Sequence, residues 1–167
     1  MGTAGPNQLL YQCSFNPLDA TSIVVTGNGV FKYYKQAENG LKVAHTQIAK
    51  KDMHAAWSQH YTTHAWVNWI NNEVRLVVCT DQGEVIVLDA NGEYKSLLAS
   101  SPGDGFWIEC IVPFSKGFLI GGDNGIMHIF NRNPEDSKLL FKREPHALRV
   151  QDSEGTKIRQ MAITPQT

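Results

Sequence analysis

The sequence predicts an all-β fold, a fragment of a WD-repeat-like β-propeller with about three four-stranded blades and the start of a fourth. Three observations carry this. Short apolar runs alternate with polar residues at strand length, Asn-, Asp- and Gly-rich turns separate them, and the whole phrase recurs. The turn glycines Gly29, Gly83 and Gly125 stand 54 and 42 residues apart, against roughly 40–45 for a WD repeat and about 50 for a kelch repeat.

The first blade covers approximately residues 9–47. Residues 10–15 alternate as a strand, Asn16-Pro17-Leu18-Asp19 turns the chain, and 22–26 is a second strand. Gly27-Asn28-Gly29 leads into a third at 30–34, and Glu38-Asn39-Gly40 returns a fourth within 41–47. The second blade, 62–97, repeats the phrase with strands at 64–69, 74–79, 84–89 and 94–97, turning at Asp81-Gln82-Gly83 and Asn91-Gly92. The third, 106–143, has strands at 107–112, 117–121, 126–130 and 138–142, with its turn at Asp123-Asn124-Gly125. A fourth unit opens at 157–163 and runs to 167. Three blades cannot close a ring, so a fragment is expected, and propellers shield sheet edges by closure. A twisted β-sandwich of the same strands is the alternative, and the turn spacing favours the propeller.

The longer first interval requires an insertion, placed at 48–61, a polar stretch that is expected to be a surface loop carrying specificity. Its Lys50, Lys51, His54, Trp57 and His60 are the candidate partner-binding residues, with Trp57 the candidate exposed aromatic anchor. A second loop, 100–106, is expected to share the role. Trp66 and Trp107 begin strands at corresponding places and are assigned to packing between blades.

Fifteen Lys and Arg against sixteen Asp and Glu give a net charge of -1, so no basic excess draws the chain to nucleic acid or anionic membranes. Neither is expected as a partner. No apolar run approaches the ~18 residues of a membrane span, and no signal peptide opens the sequence. Gly2 follows Met1, but Pro6 occupies the Ser/Thr place of the myristoylation pattern. Cys13, Cys79 and Cys110 are far apart and odd in number, which argues against a disulfide framework or zinc site and for a reducing compartment.

No catalytic, cofactor or metal residues are assigned. The six histidines are scattered; His60 and His64 are four apart, but in a loop entering a strand, where that spacing does not align them. His64 and His128 are read as strand-flanking residues that hydrogen-bond turns. Asp19, Asp81, Asp89 and Asp123 recur at turns and strand ends, where carboxylates accept from nearby backbone N–H groups. No nucleophile elbow or phosphate loop is present, and Gly27-Asn28-Gly29 precedes a strand rather than a helix.

Several phrases resemble a family of cilia- and flagella-associated WD-repeat proteins. They are Ser14-Phe15-Asn16-Pro17, Val25-Thr26-Gly27-Asn28-Gly29-Val30-Phe31-Lys32, His64-Ala65-Trp66, Thr80-Asp81-Gln82-Gly83-Glu84 and Phe114-Ser115-Lys116-Gly117, in the same order from about Gln12 to Phe130. The resemblance implies an axonemal protein with N-terminal propellers and a long C-terminal coiled coil, which helps attach or regulate inner dynein arms. It implies a cytoskeletal, ciliary location, and inner-arm or microtubule-associated partners. This chain has no heptad segment. The expected function is a non-catalytic interaction scaffold; the alternatives are another axonemal or intraflagellar WD-repeat scaffold, or a fragment of a propeller enzyme.

Overall fold

The computed structural model describes residues 8–48, 57–98, 106–150 and 155–165. They form three antiparallel sheets, each following chain order from strand to strand. Blade 1 is β1 (Leu10–Asn16), β2 (Asp19–Gly27), β3 (Val30–Ala37) and β4 (Gly40–His45); blade 2 is β5 (Tyr61–Asn68), β6 (Val74–Thr80), β7 (Val85–Leu88) and β8 (Tyr94–Leu98). Blade 3 is β9 (Ile108–Phe114), β10 (Gly117–Gly122) and β11 (Ile126–Arg132), with its fourth position divided between β12 (Phe141–Arg143) and β13 (Leu148–Arg149). The architecture is all-β with WD-like blades.

The turns form where the residue types demand them. Gly29 sits at φ +71°, open to glycine but strained for a side chain with a Cβ. In blade 3 the same job takes two left-handed residues, Asn124 at φ 56° and Gly125 at φ 64°. Asn tolerates that region better than most residues.

Blade 3 departs from expectation in its last strand. Residues 138–140 are a turn instead: the Asp136 carboxylate accepts from the Lys138 and Leu139 N–H groups at 2.9 and 3.0 Å. Pairing with β11 begins only at Phe141 and breaks after Arg143. Pro145 follows the break and has no N–H to give the ladder, and β13 resumes the pairing with Ile126 and Met127. The opening of the fourth unit, 157–163, is not a strand. It lies against blade 3, where Ile158 N–H donates to Gly122 O at 2.9 Å.

Alternation along β6 and β7 sends side chains to two cores. Leu76, Val78, Ile86 and Leu88 pack with Val24, Phe31 and Tyr33 of blade 1. Val77, Cys79, Val85 and Val87 pack with Ile108, Phe118, Ile120, Phe130 and Phe141 of blade 3. Blade 2 is therefore covered on both faces, which explains why β6 reads as a nearly continuous apolar run rather than a half-buried alternation. Phe118 and Phe130 stack at 4.8 Å, and Phe141 meets Phe118 edge-on at 5.1 Å.

Close approach of β11 to the start of β10 leaves no room beside Gly117, where an added Cβ would overlap the Phe130 carbonyl oxygen. Gly117→Ala is expected to cost about 1–3 kcal/mol, the usual range for overpacking. Urea unfolding midpoints of the two proteins check this.

Candidate functional site

The first strands β1, β5 and β9 lie beside one another, so residues just before or at their starts gather on one rim of the stack. Repeated backbone bonds set the register. Asp81 N–H donates to His60 O at 3.2 Å in blade 2, and Asp123 N–H donates to Trp107 O at 3.3 Å in blade 3. Gly29 N–H donates to Gln59 O and Gly125 N–H to Thr156 O, both at 2.8 Å. His60, Trp107 and Lys157 therefore occupy one repeat position in successive units.

Their side chains touch in sequence. The Tyr11 ring stacks on His60 with centroids 5.5 Å apart, and its hydroxyl lies 2.8 Å from His60 Nε2. His60 meets Trp107 edge-on at 5.1 Å, and Lys157 Nζ sits 4.6 Å from the Trp107 ring centre. Carboxylates brace the row: Asp81 lies 3.3 Å from His60 Nδ1, while Glu109 and Asp123 lie 3.5 and 3.7 Å from Lys157 Nζ. Asp81 also accepts from the Ser58 hydroxyl at 2.5 Å, and Ser58 N–H donates to Glu84 at 3.2 Å. Asp19 and Asp89 accept from backbone N–H groups of their own turns, as expected, whereas Asp81 and Asp123 reach across to the strand starts, Asp123 accepting from Trp107 N–H at 3.0 Å.

Below the rim, a polar network joins blades 1 and 2. Gln12 grips the His64 backbone: its amide N–H donates to His64 O at 2.8 Å, and its Oε1 accepts from His64 N–H at 3.0 Å. The His64 ring is enclosed between the Ser14 hydroxyl, 2.6 Å from Nε2, and the Thr26 hydroxyl, 2.8 Å from Nδ1. Trp66 Nε1–H donates to Ser14 Oγ at 3.0 Å. A neutral imidazole offers one donor and one acceptor, and hydroxyls match either. Burial pushes the His64 pKa down to about 4, so the ring is neutral near pH 7. His64 therefore fastens two blades rather than flanking a turn. His128 likewise does not bond a turn; it is buried on β11 against Phe106, and its Nε2 has no hydrogen-bond partner among the described residues.

Of the expected partner-binding residues, Lys50, Lys51 and His54 lie outside the described residues, as does most of the 100–106 loop. His60 is on the rim. Trp57 is not an exposed anchor: it is 7% exposed, stacks on Tyr94 at 5.7 Å and donates Nε1–H to the Tyr61 hydroxyl at 3.1 Å. An indole beside an apolar core gains more from burial than from a place in water. Trp66 and Trp107 both pack between blades as expected, Trp66 against Ser14 of blade 1 and Trp107, on the rim, against His60 of blade 2. Tyr11 and Lys157 are not candidates from the sequence; the signal that reaches Lys157 is its distance from Gly125, 32 residues, one more than the 31 from Gly29 to His60.

Elsewhere, a groove of about 540 Å³ between blades 1 and 2 is lined by Asp19, Arg75, Asp89 and Lys95 among others. Its charges pair with one another or with neighbours: Lys35–Asp19 at 2.6 Å, Arg75–Glu73 at 3.0 Å and Lys95–Asp89 at 3.7 Å. Lys35, and then the Thr21 and Ser22 hydroxyls, hold the Asp19 carboxyl well below the usual carboxylate range. No cluster of three or more His, Cys, Asp or Glu that could hold a metal occurs among the described residues.

No family model matches the chain. The chain is 32% identical over 164 residues to cilia- and flagella-associated protein 57 A of Tetrahymena thermophila, covering 96% of this chain and 12% of that protein. It is also 32% identical over 87 residues to cilia- and flagella-associated protein 57 of Mus musculus, covering 52% of this chain and 6% of that protein. The chain thus spans a small part of the length of the relatives it matches. With similarity running through all three blades, this stretch of sequence belongs to the cilia- and flagella-associated protein 57 family.

Proposed function

We propose that the chain is a non-catalytic protein-interaction scaffold of the ciliary or flagellar axoneme, supporting inner dynein arm attachment and the regulation of ciliary motility. The observation that carries this reading is the similarity, along 96% of the chain, to a protein named for its association with cilia and flagella. The geometry is compatible with positioning. The rim row Tyr11, His60, Trp107 and Lys157 is fixed by contacts between successive units, and such preorganised aromatic and charged surface lowers the ordering cost of binding. Inner dynein arm or microtubule-associated proteins are the proposed partners, and the loops at 49–61 and 100–106 the proposed contacts.

Tagging the endogenous protein in ciliated cells tests this. Staining along the axoneme that resists detergent extraction is expected, and loss of the protein should alter waveform and reduce inner-arm density. Staining confined to the cytosol, or an unchanged waveform and unchanged inner arms after loss, would overturn the reading.

A further inference from the structure

The outer edge of blade 3 is locally basic. Residues 132–149 hold five cations, Arg132, Lys138, Lys142, Arg143 and Arg149, against three carboxylates, in a chain whose net charge is -1. Two of those carboxylates are already engaged: Asp136 accepts from the Lys138 and Leu139 N–H groups, and Glu144 from Asn131 Nδ2. Arg132 is likewise tied, donating to Asn68 O at 3.1 Å and to Ser115 O at 2.8 Å. Lys142 and Arg143 of β12 differ. Both are exposed, and neither side chain has a hydrogen bond or ion pair among the described residues.

These two cations border a cleft of about 380 Å³ where the outer strands of blades 2 and 3 meet. Its apolar wall is made by Leu98 of β8, Phe130 of β11, Phe141 of β12 and Leu139. Leu98, Phe130 and Phe141 are buried, but Leu139 is 39% exposed, so the apolar surface reaches the mouth of the cleft. Asn133, Lys142 and Arg143 also line an adjoining recess of about 360 Å³, so the hollow continues past the two cations.

A further group points to the charge of an occupant. His128 lies two residues along β11 from Phe130, on the same face, and Arg143 pairs with Phe130 across the strands. His128 is 8% exposed, and its Nε2 has no hydrogen-bond partner among the described residues. Burial, and then the Arg143 charge, lower its pKa. An imidazole and a guanidinium thus stand together with no carboxylate paired to either among the described residues, an arrangement that an anion would complete.

We propose that this cleft is a docking site for an acidic peptide, in which a carboxylate pairs with Arg143 and Lys142 while a neighbouring bulky apolar side chain enters between Leu98, Phe141 and Leu139. The planar Arg143 guanidinium matches a carboxylate in two parallel hydrogen bonds, and the apolar wall adds burial. The cleft lies apart from the rim row, and the inference does not depend on the ciliary role.

Fluorescence anisotropy at low salt tests it, since exposed ion pairs are screened at high salt. The probe is a short fluorescein-labelled peptide alternating glutamate and leucine, added to the 167-residue chain. Two control peptides carry lysine in place of glutamate, or serine in place of leucine. Saturable binding of the glutamate–leucine peptide is expected, with each control at least tenfold weaker. Lys142→Glu combined with Arg143→Glu should weaken binding at least tenfold with an unchanged unfolding midpoint, whereas Lys42→Glu on β4 should leave it within twofold. Amide chemical shifts of the unmodified chain give an independent reading, because added peptide should move His128 and Phe141–Arg143. An absence of saturable binding, equal binding of either control, equal weakening by Lys42→Glu, or shifts confined to blades 1 and 2 would overturn the proposal.

Discussion

Phe118→Ala is expected to lower the unfolding free energy by about 3–5 kcal/mol, the usual range for truncating a buried phenylalanine. Phe118 is fully buried, stacks on Phe130 and meets Phe141 edge-on, so its removal opens a cavity where two blades join. Phe15→Ala should cost less than about 1 kcal/mol by comparison, because a side chain already half in water has little burial to lose. The pair separates position from residue type, since both are phenylalanines on the corresponding face of their blades. Denaturant unfolding of the two variants checks it. Similar losses at both sites would contradict a core that lies between blades 2 and 3.

Acid should loosen the junction of blades 1 and 2. His64 has its folded pKa lowered to about 4 from 6.5, by burial. Its unfolded form therefore takes up a proton first as pH falls. Stability is fully present above about pH 6.5, declines as pH falls, and levels off for this group below about 4. A shift of this size corresponds to a loss on the order of 3 kcal/mol. His128, lowered by burial and then by Arg143, acts in the same direction. Asp19 is different: its carboxyl is depressed, so its contribution is present above its unfolded pKa of 3.8 and is lost in stronger acid. With its side chain 36% exposed, that contribution is small. The measurement is unfolding free energy from pH 8 to pH 4 for the parent and His64→Gln. The variant should lose most of the slope between pH 6.5 and 4. An unchanged slope would show that the enclosed imidazole is not its source.

The legible part of the fold was what local chemistry dictates. Gly29, Gly83 and Gly125 mark turns because their backbone conformations exclude most side chains, and the repeat follows from their spacing. The runs at 74–79 and 84–89 identified strands, but not that alternate residues serve two separate cores; that needs the neighbouring blades. The fourth position of blade 3 was misplaced because Lys138-Leu139-Leu140 has strand-like composition, while Asp136 accepts from its backbone N–H groups and Pro145 interrupts the later strand. Trp57 was misjudged for a related reason. Its place in an insertion suggested exposure, but Tyr61 and Tyr94, brought together by tertiary packing, offer the ring a stack and the indole N–H an acceptor. The rim was only partly legible. His60 and the turn carboxylates could be named one by one, but the row they form with Tyr11, Trp107 and Lys157 depends on bonds between units.

The central structural claim is a stack of blades in which the middle one is covered on both faces. Hydrogen exchange read by mass spectrometry tests it most directly, because protection follows the free energy needed to open each segment. Amides of β6 and β7 are expected to exchange slowest in the chain, and those of the exposed β4 fastest among the paired strands. Equal protection of blade 1 and blade 2, or faster exchange in β6 than in β4, would contradict the account.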